Sequence, residues 1–428
     1  MKTHLNIKHV KNNKLIHSTF IYLISRMIAS SIPFLLLPVL TTYLSSEGFG
    51  LISMVSTVAA FCVPFVTFNL DGAIQRKYYD DNENIGEYIG NCVLIVLLFY
   101  IIVSVLFLLL NNQITRLTEI PKLFVPFIPL YCFSGFFISL ILTLWQVREK
   151  PYKYGFFQIS NTILELSFSI FLIVCLKYNW YGRVFSMFFI NILFASLSYF
   201  YLKKNNLIIF CFNKSKFIHA LKFGSGLIPH VIGGSLILLT NRFFITKMVN
   251  ISETGQFAVA AQIASILSFF TLSFNNAYVP WLYKKLKLNS ISDKIKIVKF
   301  TYLYLLLLLV FGVILYFVTP IMFSLFINSK FYYAQKFVPW IILGYVFQGG
   351  YFMVTNYIFY SEKTYIIATI TIIIGLINIP LNYFCILNYG SLGAAISFAT
   401  IFLLFFITTW LVSSKVYYMP WLLFKSKK

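Results

Sequence analysis

Acidic residues are scarce in this chain. Asp and Glu number 12 among 428 residues against 34 Lys and Arg, and charged residues of both signs make up only 11%. A water-exposed surface on a protein of this size carries far more charge than that. Histidine is rarer still, at five, and the six cysteines (Cys62, Cys92, Cys132, Cys175, Cys211 and Cys385) fall mostly inside apolar stretches without metal-type spacing. They are read as buried free thiols, not as a disulfide framework or a zinc site. No cofactor and no metal is expected. There is no GxxxxGK[ST] phosphate loop, no HExxH and no GxSxG. These absences exclude P-loop nucleotide hydrolysis and the usual metalloprotease and serine-hydrolase arrangements. Polar connections do not exceed about twenty residues, so no extramembrane catalytic domain fits. The chain is not expected to be an enzyme.

What is abundant is apolar surface. Hydrophobic residues make up 59% of the chain, the mean hydropathy is +0.83, and apolar runs long enough to cross a bilayer recur throughout. The reading is an all-α polytopic membrane protein. Twelve spans are expected, at 18–43, 51–72, 91–110, 123–145, 154–176, 184–202, 223–245, 256–279, 301–319, 337–360, 365–387 and 393–414. The basic first 17 residues lack the layout of a cleaved signal peptide, so the first span is expected to stay as an anchor.

Lys and Arg in the connections orient the chain. With the N-terminus in the cytoplasm, 25 of the 34 fall on the cytoplasmic side and seven on the other, with Arg26 and Arg242 left inside spans. This bias predicts an N-in, C-in topology. It also accounts for the net charge of +22 without any nucleic-acid partner.

The seventh expected span carries more polar residues than an inert anchor needs. Between Phe223 and Ile245 lie Pro229, His230, Gly233, Gly234, Asn241 and Arg242, and His230, Gly234, Ile237 and Asn241 share a helical face. The span begins at the midpoint of the chain, just after a basic loop. A shift of 205 residues then aligns EGFGLI (47–52) with SETGQF (252–257), and LDGAIQRKYY (70–79) with NNAYVPWLYK (275–284). Two parallel repeats follow from this: an N-terminal six-helix bundle at 1–205, a cytoplasmic connecting loop at 206–222, and a C-terminal six-helix bundle at 223–428. Such repeats commonly enclose a central cavity.

An ionisable residue at mid-bilayer costs about 2.5–3.5 kcal/mol on insertion scales, so each needs a reason. Arg26 lies about nine residues into the first span, beside Thr19, Tyr22 and Ser30 on one face. Glu165 shares a face of the fifth span with Gln158, Asn161, Thr162 and Ser169, and is the deepest carboxylate. Asp71 ends the second span. Gln348, Tyr351 and Thr355 share a face of the tenth span, and Asn378, Pro380 and Asn382 interrupt the eleventh. Each has a plain alternative. Arg26 can snorkel, Glu165 can be a structural bond to a neighbouring helix, Asp71 can belong to the interface, His230 can be a satisfied core histidine, and the amides can join helices.

The second half then resembles a known family. A Phe-Tyr-Tyr-Ala stretch (Phe331 to Ala334) precedes a span, and a small turn follows it at Ser361 to Thr364. Asn378 and Asn382 lie four apart, and Tyr389 to Ala395 reads Tyr-Gly-x-x-Gly-Ala-Ala. With the basic tail, the Arg-bearing first span and LSSEGFG (44–50), the chain resembles the bacterial polysaccharide flippases that serve O-antigen, lipopolysaccharide or capsule synthesis. These belong to the multidrug/oligosaccharidyl-lipid/polysaccharide exporter superfamily. Where many relatives place an acidic residue before the Arg closing the seventh span, this chain has Asn241.

The resemblance implies a MATE-like fold of twelve helices in two bundles. It implies a cargo of undecaprenyl-diphosphate-linked oligosaccharide moved from the cytoplasmic to the outer leaflet of the bacterial cytoplasmic membrane. Membrane lipids and a polysaccharide polymerase are the expected partners. Arg26 and Arg242 are the candidate diphosphate ligands, since guanidinium offers forked donors to phosphate oxygens. His230, Asn241 and Gln348 are candidate substrate contacts, and Glu165 and Asp71 are candidates for ion coupling. Two alternatives stay open: a MATE-type drug or cation exporter, which would favour acidic aromatic pockets, and a polysaccharide polymerase or ligase, which would carry a large outward loop.

Overall fold

The computed structural model describes residues 21–80 except 23, 26, 30, 32 and 33, and residues 85–422, with the side chains of Asp80, Leu227 and His230 set aside. Arg26 and the His230 side chain therefore lie outside the described residues. No strand occurs among the described residues. The cause is the apolar composition: in hydrocarbon each backbone N–H and C=O must be satisfied within the segment, and a helix does that.

Every described residue from 21 to 43 is helical except where the chain turns toward Ser46. Thereafter come α1 (Ser46–Thr67), α2 (Leu70–Asp80), α3 (Ile85–Leu109), α4 (Asn111–Thr118) and α5 (Phe127–Val147). Next are α6 (Pro151–Ile170), which runs into a π-helical turn (Phe171–Cys175), then α7 (Asn179–Lys204) and α8 (Lys214–Met248). The chain ends with α9 (Ile251–Lys287), α10 (Ile291–Phe326), a 3₁₀ stretch (Ser329–Phe337), α11 (Val338–Tyr360), α12 (Thr364–Tyr389) and α13 (Ser391–Val416). Eleven segments among the described residues are long and apolar enough to cross a membrane. The first expected span, 18–43, falls partly on residues that are not described.

Local chemistry sets the helix ends. Asn250 caps α9, its side chain accepting from the Glu253 N–H at 2.8 Å. Pro151 opens α6, where its missing N–H costs nothing. Left-handed residues stop several helices, among them Glu119, Asn289 and Glu362 with φ of 60°, 47° and 57°. Gly390, at φ +56°, turns α12 into α13. Several helices overrun the apolar runs: α8 starts nine residues before Phe223, and α9 and α10 reach 37 and 36 residues.

The chain divides into two compact units. One comprises 1–44 and 55–228, the other 45–54 and 229–428. The first nine residues of α1 thus belong to the second unit, and α8 changes unit between Ile228 and Pro229.

In the first unit α5, α6 and α7 pack side by side. The stretch after α7 is a clipped strap. Leu207 and Ile208 are buried, the Ile209 N–H donates to Gly86 O at 3.0 Å, and the Asn91 amide donates to Cys211 O at 2.9 Å. Asn91 Oδ1 accepts in turn from the Asn213 N–H at 3.0 Å, and Lys216 pairs with Glu87.

The second unit is built on α11 against α13 and α9, and on α12 against α13. Phe331, Ala334 and Phe337 of the 3₁₀ stretch are completely buried, which accounts for the aromatic-Tyr-x-Ala pattern there. Of the six cysteines, Cys62, Cys92 and Cys132 are buried free thiols, but Cys175 and Cys211 are exposed, contrary to the expectation for all six. Cys175 ends the π-helical turn and Cys211 lies in the strap before α8.

Candidate functional site

Polar side chains gather in each unit. In the second, Asn241 of α8 is completely buried and donates from Nδ2 to Ala394 O of α13 at 2.7 Å. Its Oδ1 accepts from Asn382 of α12 at 3.1 Å, and Asn382 also donates to Asn378 Oδ1 at 2.8 Å. Asn378 donates to Leu236 O of α8 at 2.8 Å and accepts from Ser397 of α13 at 3.4 Å. Three helices are thus joined by neutral amides. The eleventh expected span, which Pro380 was to interrupt, remains one helix, with Asn378 and Asn382 one turn apart on its buried face.

Arg242 follows Asn241 in sequence but points elsewhere, because successive helical residues diverge by about 100°. Tyr345 of α11 lies within its electrostatic reach. One turn further along α11, Gln348 Oε1 accepts from the Ser268 hydroxyl of α9 at 2.9 Å. Asn356 of α11 donates to Asn275 Oδ1 of α9 at 2.8 Å. Asn241 and Arg242, adjacent in the chain, therefore serve different surroundings. The amide is consumed in helix packing, and the guanidinium lies within electrostatic reach of Tyr345.

In the first unit Glu165 of α6 forms an ion pair with Arg183 of α7, Oε1 to Nη2 at 2.9 Å, with the side chains 23% and 13% exposed. The Ser186 hydroxyl donates to Glu165 O at 2.6 Å, tying the same two helices together. Asn161 and Gln158 lie one and two turns before Glu165, and their side-chain oxygens are buried without a partner. The same holds for Asn191 Oδ1 on α7 and for Arg183 Nη1. Asp71, in the first turn of α2, is half-buried and accepts from the Ser139 hydroxyl at 3.2 Å.

Arg183 is the residue that sequence reasoning passed over. With the sixth span expected to begin at 184, Arg183 counted as a loop cation; α7 instead begins at Asn179 and carries Arg183 into its second turn. The signal was present. Glu165 and Arg183 lie on either side of the short connection at 176–178, so the helix hairpin can set an acid and a base side by side. Among the described residues no group of three or more His, Cys, Asp or Glu is placed to hold a metal ion.

The family model described as polysaccharide biosynthesis protein matches residues 15–285. The chain belongs to that family. A Haemophilus influenzae protein named "Uncharacterized membrane protein" is 28% identical to it over 355 residues, covering 82% of this chain and 85% of that one. Among solved structures, a multidrug resistance MATE family transporter in its inward-facing conformation matches with TM-score 0.75 and 11% identity, over 93% of this chain and 96% of that one. The lipid II flippase MurJ, in an inward closed conformation, matches with TM-score 0.72 and 15% identity, over 94% and 87%. The fold is therefore MATE-like, as the resemblance implies, and the protein is a multi-pass membrane protein.

The Tyr-Gly-x-x-Gly-Ala-Ala stretch of this family member now has a physical cause. Gly390 makes the turn, Gly393 lets α13 touch α12 where a Cβ would lie 2.0 Å from Cys385 O, and Ala394 offers its carbonyl to Asn241.

Proposed function

We propose that this member of the polysaccharide biosynthesis protein family is a flippase. Its cargo is an undecaprenyl-diphosphate-linked oligosaccharide, moved from the cytoplasmic to the outer leaflet of a bacterial cytoplasmic membrane by alternating access. The observation that carries the reading is Arg242. A guanidinium inside the α8 span, within electrostatic reach of Tyr345 and one residue from a neutral amide network, suits an anionic cargo better than a cationic one. Gln348 and the His230 position supply polar groups for sugars. Arg26 is its proposed counterpart in the first half, and Glu165 and Asp71 are the carboxylates proposed to couple transport to an ion gradient. The N-in, C-in orientation belongs to the same reading and rests on the Lys and Arg bias.

The test is complementation of a strain lacking its lipid-linked oligosaccharide flippase, with the matching synthesis genes present and surface polysaccharide as readout. Restoration by the wild type, lost with Arg242→Ala and Arg26→Ala at equal membrane levels, is expected. Restoration indifferent to both changes rejects the cationic site. No restoration despite normal insertion turns the reading toward a drug exporter, checked by resistance profiling.

A further inference from the structure

The ion pair in the first unit is incomplete in a specific way. Arg183 meets Glu165 through Nη2 alone, at 2.9 Å, while its Nη1 is buried and has no hydrogen-bond partner. A guanidinium presents parallel donors that match two oxygens of one phosphate. A single carboxylate contact leaves half of that fork idle, and a buried donor without a partner costs about 1–3 kcal/mol. On the same two helices, one and two turns before Glu165 and about two turns after Arg183, the oxygens of Asn161, Gln158 and Asn191 are buried and unpartnered as well. They are acceptors suited to hydroxyl groups. One cation with a spare donor and free acceptors further along the same helix pair are the complement of a phosphate joined to a sugar.

We propose that Arg183 is an anion-binding residue for the phosphate group of a glycosyl-phosphate lipid, and that Glu165 is the counter-ion it gives up. The proposal rests on the flippase reading for the identity of the cargo. A phosphate oxygen takes the place of Glu165 Oε1 on Nη2 while a second oxygen engages Nη1, and sugar hydroxyls donate to the amide oxygens along α6 and α7. Glu165 is left without its cation while the cargo is bound, and release of the cargo restores the pair.

The test uses the full-length protein in nanodiscs with farnesyl diphosphate as probe and inorganic pyrophosphate as a second arm. The wild type is expected to bind farnesyl diphosphate, and Arg183→Gln to weaken binding by about ten-fold or more. Glu165→Gln is expected to bind at least as tightly as the wild type. The double variant Glu165→Gln/Arg183→Gln removes both charges together, so neither is left buried alone, and it guards against misfolding. It should elute as a monodisperse species and bind as weakly as Arg183→Gln. Unchanged affinity in Arg183→Gln, recovery of affinity in the double variant, or no binding by the wild type would each overturn the proposal. Equal affinity for pyrophosphate would overturn the lipid headgroup as the ligand. Full polysaccharide export by Arg183→Gln in cells would sink this inference and leave the flippase reading intact. Failure of the wild type to complement, with binding as described, would do the reverse.

Discussion

Gly50 and Gly255 hold the starts of α1 and α9 together by the same contact made twice. A Cβ on Gly50 would lie 2.1 Å from Ile251 O, and a Cβ on Gly255 would lie 1.9 Å from Ser46 O. The shift of 205 residues that takes Gly50 to Gly255 also takes Ser46 to Ile251, so the contact is its own image under the repeat. The Ser46 and Ser252 hydroxyls lie 2.6 Å apart at the same place. Backbones approach this closely only where side chains are absent.

This junction therefore has no room for a side chain. Gly255→Val is expected to destabilise the protein by about 1–3 kcal/mol, as overpacking does, measured as a lower melting temperature in detergent. The pair Ser46→Cys/Ser252→Cys, with Cys175 and Cys211 replaced by Ser, should cross-link on mild oxidation. If the junction opens during transport, export stops on cross-linking and returns with reductant. Undiminished export by the cross-linked protein would show that it stays shut.

The amide network predicts a pH-dependent defect. In Asn241→Asp the donor to Ala394 O is lost, and a carboxylate oxygen faces that carbonyl at about hydrogen-bond distance. The neutral acid can still donate, so the variant should be nearly as stable as the wild type at pH 5. It should lose stability as pH rises and the buried group is forced to ionise. Thermal melts across pH 5–8 check this, and a flat difference between variant and wild type would refute it.

Asn378 is the hub of the same network. Asn378→Leu removes the donor to Leu236 O and the acceptor for both Asn382 and Ser397. Each buried group left unpartnered costs about 1–3 kcal/mol. Its melting temperature should fall well below that of Ser196→Ala, whose hydroxyl bonds only its own helix at an exposed site.

Orientation is open to a direct measurement. Cys175 and Cys211 are both exposed, at the end of the π-helical turn after α6 and in the strap before α8. With the N-terminus in the cytoplasm, a membrane-impermeant maleimide applied to intact cells labels Cys175 and spares Cys211. The opposite pattern would invert the proposed topology.

The sequence by itself determined the membrane class, the helical fold, most of the spans and the family. Apolar runs, turn residues and the Tyr-Gly-x-x-Gly-Ala-Ala stretch are local properties, and each answers to a nearby physical demand. Hydropathy was less able to place helix ends. Helices such as α8 and α9 continue past the apolar core, because backbone hydrogen bonding goes on wherever a polar face is solvated. Tertiary structure alone decided the partners. Asn241 and Arg242 looked like one site because they are neighbours in the chain, yet helical rotation sends one into the α12 and α13 contact and the other toward Tyr345. Glu165 had a neighbouring helix as its plain alternative partner, and the α6–α7 pairing supplied that partner as Arg183. Which polar residue meets which depends on the rotation and register of packed helices, and composition along one strand of sequence does not encode that.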